Sequence, residues 1–263
     1  MRDRKRSRGC VLVYSVMTVM FDTNVCSALA DKPAAEKLIE KIEAKHQIVV
    51  SAGTFYELIN GIKGGLSQDD FGSDKRKIHA MAGFCGTFLP FGFAHACITI
   101  LGHKPPHLSD DGRFQLMFDA ILKAESKDLL RWVIRLQQIG KEFDTGWTST
   151  SDNIHAMQKQ GGVPTTGEVL YSLSGGMTMT ADESARMEKA LDFVYLYWLE
   201  RLKVYREKSI NVGKQRGDFI DIMQLVYLCD PKITFVTNEK KMWRFAQGKT
   251  DRIISLDSLL SSL

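Results

Sequence analysis

The stretch DFIDIMQLVYLCDPKITFVTNEKKM, residues 218–242, decides how this chain folds. It opens with two acids three positions apart and runs into an apolar helical segment as far as about Leu228. It then turns at Asp230-Pro231 and becomes a strand from Lys232 to Thr237. A helix through Ala246 and a short strand from Arg252 to Leu256 complete the pattern. Strands alternating with helices imply a parallel sheet with right-handed crossovers. In such a sheet ligands bind beyond the carboxyl ends of the strands, and Thr237, Asn238 and Glu239 fall at one of those ends.

The same alternation stands near the start of the chain. Residues 11–21 are rich in Val with Tyr and Phe, the mark of a buried strand, and lead directly into Asp22, Thr23 and Asn24. Pro33 opens a helix in which Leu38, Ile39 and Ile42 repeat at helical spacing as far as Lys45. QIVVS at 47–51 reads as a second buried strand, and a helix is expected from about Thr54 to Gly61. The long segment between Glu57 and Asp218 reads differently, as mostly helix. Phe114, Met117, Phe118, Ile121 and Leu122 share one helical face, and Leu130, Val133 and Ile134 another. Met187, Leu191, Tyr195, Trp198, Leu202 and Tyr205 stripe a long helix. Residues 64–74, 102–113 and 144–181 are loop-like. The expected architecture is a small α/β parallel-sheet sandwich with helices on both faces, built from residues 11–65 and 205–263. A mostly helical insertion over 66–204 interrupts it, and residues 1–10 form a basic leader.

Composition narrows the function classes. With 44% hydrophobic and 25% charged residues over 263 positions, the chain is an ordinary globular sequence. Cys10, Cys26, Cys85, Cys97 and Cys229 are odd in number, scattered and without a CxxC pair, as expected of reduced thiols in the cytoplasm. His95, His103 and His107 lie close in sequence, yet no cysteine pair or HExxH spacing makes them a zinc set. The formal net charge of +4 resides entirely in residues 1–8, which hold five basic side chains and one acid. Two readings of that leader stand: an arm that touches phosphate, or an upstream extension ahead of Met17 or Met20. No stretch supplies the roughly 20 apolar residues of a spanning helix, so no membrane partner is expected. There is no GxxxxGK[ST] loop for nucleotide phosphates, and Asp144-Thr145-Gly146 is a lone protease-like triplet in a polar stretch.

Five acids carry the chemistry: Asp22, Glu57, Asp218, Asp221 and Glu239. Each falls where a strand ends or a helix begins, so folding would gather them at one edge of the sheet. The spacing of Asp218 and Asp221 puts both on one helical face. Singly, each has a plain explanation: Thr54 to Glu57 matches a capping box, and the others suit helix N-termini. Gathered without cations, they would repel one another and resist ionising. A cradle for a divalent metal is the simplest account of the set.

In order and context these signals resemble the PIN domain, a metal-dependent nuclease fold found in toxin nucleases and RNA-processing enzymes. The matching pieces are VMFDTN with Asp22, SAGTFYELING with Glu57, DIMQLVYL with Asp221 and FVTNEKKM with Glu239, within about residues 14–65 and 205–263. The resemblance implies a PIN-like sandwich that hydrolyses phosphodiesters, most simply in RNA, with water activated on Mg²⁺ or Mn²⁺. It implies Asp22 and Asp221 as central metal ligands, Glu57 and Glu239 as direct or water-mediated ligands, and Asp218 as a ligand to a second ion. Thr23, Asn24, Thr237 and Asn238 would then orient carboxylates and waters. It leaves room for an antitoxin or regulatory protein as partner, and for a homodimer.

Lys214 and Arg216 precede Asp218, and Lys240, Lys241 and Arg244 follow Glu239, which suits a grip on a nucleic-acid backbone; a solvated basic helix face is the plain alternative. The aromatic run Phe193 to Trp198 is expected to pack in a helical core. Two other functions remain in view. One is an inert PIN-like scaffold that binds RNA or a protein through its insertion. The other is a haloacid-dehalogenase-like phosphatase, in which Asn24 would stand where the second acid belongs.

Overall fold

The computed structural model describes residues 16–32, 35–51, 53–55, 57, 88–90, 92–103, 119–120, 123, 126, 128, 152, 156, 165–173, 177–210 and 215–263. The leader over 1–10, the helical faces at Phe114 to Leu122 and Leu130 to Ile134, and the first residues of the 11–21 strand lie outside them, apart from isolated positions.

The protein is α/β, and its described strands form one wholly parallel sheet. Its strands are β1 (Met17–Phe21), β2 (His46–Ser51), β3 (Phe88–Leu89), β4 (Ile233–Val236) and β5 (Ile253–Ile254), in the spatial order β3-β2-β1-β4-β5. β1 is central: Val19, Met20 and Phe21 are wholly buried, and all of β4 is buried beside them. This explains why both strands read as unbroken apolar runs rather than as alternating ones, since helices cover both faces of a parallel sheet.

The helices begin where local chemistry starts them. Asp22 caps α1 (Thr23–Ala30) by accepting the Val25 N–H at 2.7 Å. α2 (Ala35–Glu43) buries Ile39 and Ile42 and returns the chain to β2. Residues 53–55 and 57 are helical, as expected of the segment after β2. After β3 comes α3 (Gly92–Ala96), continued as a π-helical turn over Cys97–Leu101. Gly92 lies so close to the helix carrying Asp221 that an added Cβ would meet the Met223 carbonyl oxygen at 2.7 Å. Only glycine permits that approach.

The segment read as an insertion contributes to the body of the fold. It supplies β3, and beyond α4 (Thr166–Leu173) it supplies α5 (Ala181–Ala190) and α6 (Asp192–Glu207). The expected long helix is broken at Leu191, which closes α5 and opens α6. A complete capping box between Thr180 and Glu183 starts α5. The buried face of α6 is Val194, Tyr197, Trp198, Leu202 and Tyr205, so the aromatic run does pack in the core, with Tyr197 rather than Tyr195 turned inward. These side chains share one cluster with Met20, Val49 and Phe235 of the sheet. Phe193 and Tyr197 each set a ring 5.2 Å from that of Phe245, tying α6 to the helix after β4.

α7 (Arg216–Leu225) follows and runs into a 3-10 turn over Val226–Cys229. α8 (Lys240–Ala246) crosses from β4 to β5, and α9 (Leu256–Ser261) ends the chain, capped by Ser255. No helix among the described residues is long and apolar enough to cross a membrane.

Candidate active site at the carboxyl edge of the sheet

From β1 the chain order runs outward through β2 to β3, then returns to β4 on the other side of β1. The order therefore reverses between β1 and β4, and the crevice beyond their carboxyl ends is where an open α/β sheet binds ligands. Asp22 follows β1 directly and Thr237 follows β4 directly. The two meet across that crevice: the buried Thr237 hydroxyl donates to Asp22 Oδ2, while Asp22 Oδ1 holds the α1 cap. Thr237 Oγ1 also accepts the Glu239 N–H at 2.9 Å, which shapes the turn into α8.

A second hydroxyl clasp lies on the other flank. Thr23 donates to Glu57 Oε2. The sequence pattern from Thr54 to Glu57 is thus used differently from a capping box. Ser51 Oγ accepts the Thr54 N–H at 3.0 Å, and Thr54 Oγ1 donates to the Phe21 carbonyl at 3.0 Å. Gln224 Nε2, on α7, donates to Thr54 Oγ1 at 3.3 Å. This buried set joins the ends of β1 and β2 to the helix that bears Asp221.

The acids feel one another's charge. Burial raises Asp22 to about 6, with the Glu239 charge adding to the effect against hydrogen bonds from Thr237 and Val25 that lower it. Burial raises Glu57 to about 7, with Asp221 and Asp22 adding to it. Asp221 is likewise pushed up to about 6 by burial, against the pull of Lys241. Carboxylates raised together in this way are short of positive charge.

One cation is already present. Lys241, in the first turn of α8, sets its ammonium against Asp218 Oδ1 and 2.8 Å from Asp221 Oδ2. The sequence placed Lys241 among backbone-gripping residues; the structure places it inside the acid cluster. Asp218 has further partners of its own. Burial pulls its carboxyl upward, but Lys241, Tyr205 and Arg201 hold it below the ordinary carboxylate range. Arg201 donates to Oδ2 through Nε at 2.9 Å and Nη2 at 2.6 Å, and the Tyr205 hydroxyl donates to the same oxygen. With both oxygens engaged, Asp218 anchors α7 to α6 and α8, and an ion there would compete with Arg201, Tyr205 and Lys241 for it. Arg201 and Tyr205, one helical turn apart, went unremarked as partners in the sequence; their i, i+4 spacing is the signal that puts both on one face.

The other predicted residues fall as follows. Asn24 is exposed on α1. Asn238 is exposed, and its Oδ1 accepts the Leu256 N–H at 3.4 Å. Glu239 is half-buried at the N-cap of α8 and makes no side-chain cap. Lys240 and Arg244 are exposed on α8. Lys214 lies outside the described residues, and Arg216 is described only as the first residue of α7. The three histidines do not form a set: His95 Nε2 is 3.9 Å from Asp230, His103 pairs with Glu183 at 3.0 Å, and His107 lies outside the described residues.

Asp22, Glu57, Asp221 and Glu239 offer only oxygen, the donor set of hard divalent cations. Three of them are raised by burial and mutual repulsion, which a cation would relieve. In donor chemistry the set fits Mg²⁺ or Mn²⁺. Among the described residues, however, no three His, Cys, Asp or Glu side chains stand close enough together to hold a metal ion. A cation would compete with Lys241 for Asp221 and with Thr237 for Asp22.

Fold and site together define an α/β protein with a carboxylate cluster at the reversal point of its sheet. Compared with protein-family models, with curated proteins and with solved structures, the chain matches none of them.

Proposed function

We propose that this chain is a metal-dependent nuclease of the PIN type, an endoribonuclease that hydrolyses phosphodiester bonds in the cytoplasm. One observation carries the reading: Asp22, Glu57 and Asp221, from three separate segments, share an edge at which burial, and then the charge of neighbouring acids, raises all three. The free thiols of Cys26, Cys97 and Cys229 accord with a reducing compartment.

Asp22 and Asp221 would hold Mg²⁺ or Mn²⁺, with Glu57 and Glu239 beside them. The bound ion would lower the pKa of water to make a nucleophile near neutral pH and would shield the phosphate charge. The chain's own groups do the rest. Thr237 fixes the orientation of Asp22, and Thr23 fixes that of Glu57. Glu57, held by Thr23, is placed to take a proton from attacking water. Lys241, next to Asp221, is placed to meet a phosphate oxygen once that carboxylate turns to a metal.

A second reading rests on Lys241 alone. An ammonium held by Asp218 and Asp221 is what an inert PIN-like scaffold would use to neutralise its former site. Purified protein incubated with single-stranded RNA and Mn²⁺ separates the two. Cleavage that disappears on chelation and in Asp22→Asn supports the nuclease. No cleavage, or equal cleavage by the variant, leaves the scaffold.

A further inference from the structure

α8 presents to solvent a group that its packing does not need. Met242, Phe245 and Ala246 are buried beneath it, whereas Trp243 is 43% exposed. An indole is large and flat, and the exposed part of this one is free to be covered by a ligand. Lys240 and Arg244, three residues before Trp243 and one after it, are also exposed. Spacing of i, i+3 and i+4 puts Lys240, Trp243 and Arg244 on one face of the helix. Neither cation has an ion-pair partner among the described residues.

The face also has a fixed relation to the acid edge. The Trp243 backbone N–H donates to the Glu239 carbonyl at 3.0 Å, so the residue bearing the indole stands four positions, about 6 Å of rise, along the helix from Glu239. That distance is of the order of a nucleotide step. A second copy of this chain would bring like charges together over the same face, which disfavours self-association through it. A polyanion with flat apolar faces matches both the cations and the ring.

We propose that Lys240, Trp243 and Arg244 form a stacking platform for single-stranded nucleic acid. An unpaired base would lie on the indole, and the cations would hold the phosphates on either side. A duplex can offer its phosphates to the cations, but its base faces are stacked on one another. This deepens the nuclease reading and rests on it: the platform makes unpaired strands the substrate class.

The test uses full-length protein carrying Asp22→Asn, in chelator, so that binding is read without cleavage. Fluorescence anisotropy follows a labelled oligouridylate, a deoxy oligonucleotide of the same length, and an RNA duplex. Both single strands are expected to bind more tightly than the duplex. Adding Trp243→Ala is expected to weaken single-strand binding by roughly tenfold and leave the duplex unchanged, while Trp243→Phe keeps most of the affinity. Oligouridylate binding stronger than that of the deoxy strand would place a 2′-hydroxyl contact beside the platform; equal binding would mean that bases and phosphates suffice. Should Trp243→Ala fail to fold, Lys240→Gln with Arg244→Gln is expected to produce a comparable loss on single strands. The platform is overturned if Trp243→Ala binds single strands as the parent does, as it would were the indole a protein contact. It is also overturned if single strand and duplex weaken equally. Separately, Mn²⁺-dependent cleavage by the unmutated protein keeps the nuclease reading alive when the platform fails, and absence of both binding and cleavage removes both.

Discussion

Lys241 reaches from the first turn of α8 to set its ammonium 2.8 Å from Asp221 on α7, with Asp218 on its other side. A side chain that reads in sequence as a surface cation is the electrostatic keystone of the acid edge. Lys241→Met should therefore have two opposite effects. Without metal, the variant should melt lower by the equivalent of about 1–2 kcal/mol, since the pair is only partly shielded from solvent. Its affinity for Mn²⁺ should rise several-fold, because a competing charge is gone. Titration calorimetry reads the second effect, and an unchanged Mn²⁺ affinity would show that Lys241 does not compete for the site.

Asp218 and Asp221 share a helix face yet should behave differently. Asp218→Asn leaves the half-buried Arg201 guanidinium without its carboxylate and should cost about 3 kcal/mol of stability. Mn²⁺ affinity should change little. Asp221→Asn should cost less stability but should abolish cleavage and reduce Mn²⁺ affinity at least tenfold. Thermal melts and metal titrations on the two variants, side by side, check the assignment. Equal loss of metal affinity in both would return Asp218 to the ligand set.

Thr237→Val removes the hydroxyl that holds Asp22 while keeping the shape of a wholly buried side chain. The stability cost should be about 1 kcal/mol. Loss of a group that orients a metal-binding carboxylate typically costs 10- to 100-fold in activity or metal affinity, and a loss of that size is expected here. A variant with lowered stability and normal kcat would confine Thr237 to a structural role.

The pH dependence of the metal-free protein follows from the raised carboxyls. Asp22 and Asp221 at about 6 and Glu57 at about 7 bind protons more tightly folded than unfolded. Their contribution to stability is complete below about pH 4, where ordinary carboxylates titrate, and is lost as pH rises to about 7. Asp218, held low, acts oppositely: its contribution is present above about pH 4 and is lost as acid protonates it. Between about pH 5 and pH 7 the first three dominate, so metal-free stability should fall across that interval. Mn²⁺ should flatten or reverse the slope. Melts at several pH values with and without Mn²⁺ provide the check, and a rising metal-free curve would contradict the carboxyl environments described.

The sheet was legible because β1, β2 and β4 are buried on both faces and so read as continuous apolar runs. β3 was not, since Phe88–Leu89 is too short to carry any periodicity. Asp22 stood out in sequence because an acid directly after a buried strand needs a local reason, and here it has two, a helix cap and the Thr237 clasp. The ion pairs of Asp218 and Lys241 were not legible, for a common reason. The partners of Asp218 lie on α6 and α8, 17, 13 and 23 residues away, and no local pattern announces them. Nothing in the sequence distinguishes Lys240 from Lys241; only the turn of α8 sends one outward and the other to the acids.

The bond between Asp22 and Thr237 spans 215 positions of the chain. On the ribosome, the first of these residues emerges 215 positions ahead of its partner, because the middle strand of the sheet, β1, is made long before its neighbour β4. Whatever chemistry this edge performs is therefore missing from the nascent chain and from any product cut short before β4. Synthesis itself acts as a safety catch, released only once β4 and Thr237 have been made.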